Sequence, residues 1–156
     1  MNRIAAPAGP ELPLPESCAL PLVLDTNVVL DLLVFDDVRT LSLKSGLLQG
    51  RLHWLATPPM REELARVLDY GHIAARLALG SRRAGDVLES FDRHARMVGV
   101  PVRAPVICSD PDDQMFIDLA VHHRCMLLSK DAAVLTLKKR LAAMHVNACA
   151  AFPAPS

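Results

Sequence analysis

Short apolar runs alternate along this chain with longer segments whose apolar residues recur every three or four positions. The runs are LPLVLD (20–25), RLHWLA (51–56), VPVRAPVI (100–107), CMLLS (125–129) and HVNACA (145–150). Each has the length and continuous hydrophobicity of a strand covered on both faces. Between them, Val28, Val29, Leu32 and Leu33 fall on one helical side, and a second helix is expected near residues 39–49, ended by Gly50. TPPMREELARVLDY opens with Thr57 as N-cap and Pro58 at the first helical position, with Met60, Leu64, Val67 and Leu68 as its apolar side. HIAARLAL and SRRAGDVLESFDRHARMV, divided by Gly80, give two more helices. In the second, Ala84, Val87, Leu88, Phe91, Ala95 and Val98 form a core-facing stripe. SDPDDQMFIDLAVHHR begins a further helix, with Asp110 as cap and Pro111 in the first turn. Strands alternating with helices predict an α/β fold with a parallel sheet.

At 156 residues the chain fits one domain with one core. Although 51% of residues are hydrophobic, no apolar run approaches the ~18 residues of a membrane span, so no membrane partner is expected. Residues 1–19 are broken by prolines, lack the apolar stretch of a signal peptide, and read as a flexible Pro-rich arm. Cys18, Cys108, Cys125 and Cys149 are far apart and have no zinc-type spacing, which fits reduced thiols in a cytoplasmic protein. Seventeen Lys and Arg balance seventeen Asp and Glu, so no global basic field attracts nucleic acid; the basic clusters RLALGSRRAGD and TLKKRLAAMH read as solvated helix faces.

The informative residues are acids. In parallel α/β sheets, ligands bind beyond the carboxyl ends of the strands. Asp25 ends the first strand, Asp131 follows CMLLSK, and Asp110, Asp112 and Asp113 occupy the turn after the third run. Glu63 lies at the margin of its helix's apolar side, from which it can reach inward, whereas Glu62 points away. Taken singly, Asp110, Asp112, Asp113 and Asp131 could do no more than cap a helix and Glu63 could be a surface acid, and Asp25 fits such a role least because DTN after an apolar strand exceeds what a turn requires. Gathered together, the acids would repel one another and raise each other's pKa values unless a cation sat among them. An all-oxygen set without convergent Cys or His favours Mg2+ or Mn2+ over zinc. Such a site suits phosphodiester hydrolysis, and hence cleavage of nucleic acid.

LVLDTNVVLDLL, then EEL within a helix, then DPDDQMFIDLAV and MLLSKD, in that order, resemble the PIN-domain ribonucleases. The closest likeness is to bacterial PIN proteins of the toxin class in toxin–antitoxin systems (VapC-like). The resemblance covers about residues 20–150 and leaves a tail at 151–156. It implies a three-layer α/β/α fold with a central, mostly parallel sheet of four to five strands. It also implies that Asp25, Glu63, Asp113 and Asp131 are the catalytic and metal-binding acids. Asp113 takes its place because it stands seven residues before the small Ala120. Thr26 and Asn27 would steady the first acid's loop and orient water or substrate, and Ser129 matches the hydroxyl residue before the last acid. Asp112 is the rival to Asp113, with Asp110 shaping the turn. The resemblance further implies an RNA substrate, frequent homodimers, and a separate antitoxin protein whose Arg often enters the acidic groove. Many relatives carry a second acid where this chain has Ala133, leaving Asp131 alone there and pointing to one metal position or to a weakened enzyme.

Other readings fit less well. A phosphatase using D-x-D needs an acid where Asn27 stands, and no G-x-G-x-x-G follows a strand to support a dinucleotide site. A PIN-like scaffold that binds RNA or a protein without cutting is the alternative that Ala133 keeps open. His53, His72, His94, His122, His123 and His145 have no evident catalytic partner, and Trp54 reads as core.

Overall fold

The computed structural model describes residues 19–152. Five strands, β1 (Leu20–Leu24), β2 (Leu52–Ala56), β3 (Ala95–Met97), β4 (Met126–Leu128) and β5 (Ala148–Cys149), form one all-parallel sheet in the order β3-β2-β1-β4-β5. Eight α-helices flank it among the described residues: α1 (Thr26–Leu33), α2 (Leu41–Leu48), α3 (Pro58–Val67), α4 (Gly71–Leu79), α5 (Ala84–His94), α6 (Gln114–His123), α7 (Ala132–Leu135) and α8 (Lys138–Ala143). The architecture is the expected three-layer α/β/α fold. Leu22, Val23 and Leu24 of the central strand are buried, as are Leu127 and Leu128 beside them, because helices cover both faces. Trp54 meets Phe91 edge to face at 5.0 Å inside this core.

Two expectations fail at one edge of the sheet. The run at 100–107 is not a strand, and the third strand lies instead at Ala95–Met97, within the segment assigned to a helix. Pro101 and Pro105 lack the N–H that a ladder requires. The backbone of the run is tied by side chains of α6. Asp118 Oδ1 accepts the Ala104 N–H at 2.8 Å, and Gln114 takes the Cys108 N–H and donates to the Val106 carbonyl. These bonds fix the segment that leads into the acidic turn.

Local signals act elsewhere as anticipated. Gly50, at φ +72°, closes the turn after α2, and a Cβ on Gly46 would lie 2.5 Å from Leu52, so only glycine lets that helix approach β2. Of the expected arm at 1–19, all but Ala19 lies outside the described residues, as do Cys18 and residues 153–156. Phe152, in the expected C-terminal tail, packs against the core. No helix among the described residues is long and apolar enough to cross a membrane.

Candidate metal centre

The chain turns first to one side of β1 and then, through β4 and β5, to the other, so the sheet's switch point lies between β1 and β4. A crevice is expected beyond the strand ends at such a point. A cavity of about 410 Å3 opens there, lined by Asp25, Thr26, Asn27, Glu63 and Asp113 among others.

Asp25 is the N-cap of α1 and is only 2% exposed. Its Oδ1 accepts the Val28 N–H at 2.9 Å, and its Oδ2 accepts the hydroxyl of fully buried Ser129. Ser129 Oγ in turn accepts the Asp131 N–H at 3.1 Å, so one hydroxyl joins the ends of β1 and β4. Burial pushes the Asp25 carboxyl up, the bonds from Ser129 and Val28 oppose this, and Asp131 raises it further.

Asp113 is differently placed. Asp110, Asp113 and Asp131 each bring a carboxylate oxygen within 4.8 Å of the others. Asp110 Oδ1 caps its short turn through the Asp112 N–H, and Asp131 Oδ1 caps α7 through the Ala133 N–H at 2.9 Å. Asp113 caps nothing with its side chain, and its Oδ2 is buried without a hydrogen-bond partner. Burial, followed by Asp131, Asp110 and Asp25, pushes its pKa up to about 7. A buried acceptor without a donor, among like charges, is costly for the polypeptide alone. The donor set is entirely carboxylate oxygen, and a hard divalent cation fits it. Asp113, Asp131 and Asp110 would hold such an ion, with Asp25 alongside.

Glu63 lies in the same cavity wall but outside that trio. Its Oε2 accepts the Thr26 hydroxyl and its Oε1 stands 3.5 Å from Arg66. Its side chain is 15% exposed while Glu62 is exposed, matching the helical-phase expectation. Asn27 is exposed at the rim. Of the two rivals in the turn, Asp112 is exposed and Asp113 faces the cavity; Asp110, expected only to shape the turn, also joins the cluster.

Other cavity residues were not among the candidates, His72 having been set aside for want of a partner. Asp31 and Lys130 form an ion pair of 2.5 Å at the wall, and Phe35, Tyr70 and His72 also line it. Asn27 and Asp31, one helical turn apart on α1, carried a signal for the first of these. His122 and His123 stack edge to face at the far end of α6, away from the cavity.

An all-parallel α/β/α sheet with acids gathered beyond its central strands defines a protein of the nuclease type. The PIN domain family profile matches residues 21–133, and the chain belongs to that family. PIN domains are generally nucleases and typically use divalent metal ions. No curated protein matches the chain.

Proposed function

We propose that this protein is a Mg2+- or Mn2+-dependent endoribonuclease, the toxin of a two-component toxin–antitoxin module, working in the cytoplasm as a homodimer. The observation that carries the catalytic part is the buried, unpartnered Oδ2 of Asp113 among acids drawn from separate segments. Bound there, a divalent cation supplies polarisation of the phosphodiester and charge neutralisation at the leaving oxygen. Asp113, Asp131 and Asp110 would hold it, with the charge of Asp25, locked in place by Ser129, alongside. Glu63, oriented by Thr26, accepts a proton from the attacking water, with Asn27 orienting substrate at the rim. Ala133 leaves Asp131 as the sole acid at the start of α7, which favours a single cation.

The test is incubation of the purified protein with transfer, ribosomal and messenger RNA in Mg2+, Mn2+ or EDTA. Cleavage that needs the cation and disappears in Asp25→Asn supports the proposal. RNA binding without cleavage in either metal would instead establish the scaffold reading. The toxin role is tested by growth arrest on expression and its relief by a small protein encoded beside this chain.

A further inference from the structure

The cavity that holds the acids is also lined by apolar and aromatic residues, among them Phe35, Val67, Tyr70 and Ile73. The chain has only six aromatic residues, and Trp54, Phe91 and Phe116 are buried. Tyr70, the sole tyrosine, is 48% exposed at this cavity, and its hydroxyl has no hydrogen-bond partner among the described residues. Its backbone is fixed, since its carbonyl accepts the N–H groups of Ile73 at 3.0 Å and Ala74 at 2.8 Å at the start of α4. Phe35 is also held, with the Arg76 guanidinium 5.7 Å from its ring centroid and bonded to its carbonyl at 3.4 Å. A half-buried Phe35 and an exposed Tyr70 therefore line the same cavity as the acids.

Charge indicates what they receive. The chain has no net charge, and Lys130 at the cavity is already paired with Asp31, so apart from a bound cation the cavity's own lining offers a phosphate little attraction. A polynucleotide binding here gains affinity from its bases, since an aromatic platform stacks any base. A base can enter a cavity of this size only when unpaired from a complementary strand.

We propose that Phe35 and Tyr70 form a nucleobase subsite that seats one unpaired base of single-stranded RNA next to the phosphate at the acidic cluster. This rests on the ribonuclease reading for the phosphate's place, but its binding test does not require cleavage. Short single-stranded RNA carrying 2-aminopurine is titrated with the full-length protein in Mn2+ and in EDTA, following fluorescence quenching and anisotropy. The wild type is expected to quench the probe, and the matching duplex is not. Tyr70→Ala is expected to weaken binding about tenfold, a typical loss for one stacked base, while Tyr70→Phe stays within about twofold. A strand with abasic residues should lose about the same factor against wild type and nothing more against Tyr70→Ala. Phe35→Leu gives a second variant, and circular dichroism checks folding of each. Equal binding of intact and abasic strands, absence of binding, or a Tyr70→Ala effect below twofold overturns the subsite. Base-dependent binding without cleavage leaves it standing while defeating the ribonuclease reading; cleavage indifferent to abasic substitution does the reverse.

Discussion

The β1–α1 junction and the turn before α6 each deliver an aspartate to one cavity, yet the protein treats the two carboxylates in opposite ways. At the first, both Asp25 oxygens have protein donors, one from the helix it caps and one from Ser129 across the sheet. At the second, Asp113 has a buried oxygen with no donor and three acids near enough to raise its pKa. The first carboxylate is organised by the fold for the fold's own benefit as well as the site's. The second is costly once ionised and calls for positive charge beside it, whether a proton shared with Asp131 or a cation. The helix-capping explanation and the functional explanation of the acids are therefore compatible: Asp25, Asp110 and Asp131 each spend one oxygen on a cap and still face their neighbours.

The sharpest way to break this contrast is to neutralise each side in turn. Asp25→Asn and Asp113→Asn should both lower RNA cleavage by about a hundredfold or more, since each removes charge that holds the cation. Their effects on folding should differ in sign. Asp25→Ala strands the Val28 N–H and the buried Ser129 hydroxyl and should destabilise the protein by about 2 kcal/mol. Asp113→Asn removes a repelled acid and should leave cation-free stability unchanged or raised. Urea melts in EDTA measure both, and equal destabilisation by the two variants would erase the distinction.

The next effect is on pH dependence. Asp113 keeps its proton up to about 7 in the folded protein against an ordinary value of 3.8, so over that interval the folded state binds more protons than the unfolded chain. Its contribution to stability is therefore complete below about 3.8 and is lost as the pH rises through about 7. Burial gives Asp25 the same direction. Asp37 and Asp92, held low by bonds from Arg39 and Arg61, act oppositely and lose their contributions on acidification, which makes the difference between wild type and Asp113→Asn the useful quantity. In EDTA the wild-type melting temperature should fall relative to Asp113→Asn between mildly acidic and slightly alkaline pH. Above pH 7, Mn2+ at a hundred times its dissociation constant should restore about 2.7 kcal/mol in the wild type and less in the variant. A melting temperature indifferent to Mn2+ and Mg2+ would remove the cation from the site.

The same contrast explains what could be read from the sequence. β1, β2 and β4 were legible because a buried parallel strand must be apolar throughout, and Asp25 stood out because a carboxylate abutting such a strand is costly unless it is partnered. Glu63 was separable from Glu62 because helical phase alone fixes which one turns inward. β3 was not legible. Its three residues, Ala95, Arg96 and Met97, have no distinctive pattern and are defined by their ladder to β2, while Ala95 and Val98 happen to continue the helical stripe. The run at 100–107 misled because only Ala104 and Val106 of it enter the core while Val100, Val102 and Ile107 are exposed, and α6 side chains take its backbone bonds. Within DPDD, the spacing to Ala120 singled out Asp113 but gave no sign that Asp110 would join it, because in a tight turn the directions of neighbouring side chains are not set by spacing. Tyr70 and Phe35 were invisible as a pair because their proximity to one cavity is a tertiary fact.

The smallest expected effect lies between the two contrasted regions, at Lys130, which links the β4 loop to Asp31 of α1. With its side chain 36% exposed, the pair should contribute under about 1 kcal/mol to stability, and Lys130→Met should barely move the urea midpoint. Its electrostatic role is more specific. The Lys130 charge lowers the Asp25 pKa against the upward push of burial, so removing it should delay ionisation of Asp25 and shift the rising limb of the cleavage–pH profile to higher pH. The loss should be a few-fold on the rising limb and shrink in high salt as the lost charge becomes screened. Asp31→Asn frees the ammonium from its partner and should shift the limb the other way. A profile unmoved by both substitutions would make the pair a surface contact with no influence on Asp25, leaving Ser129 and the Val28 N–H as the groups that oppose the upward push of burial on that carboxylate.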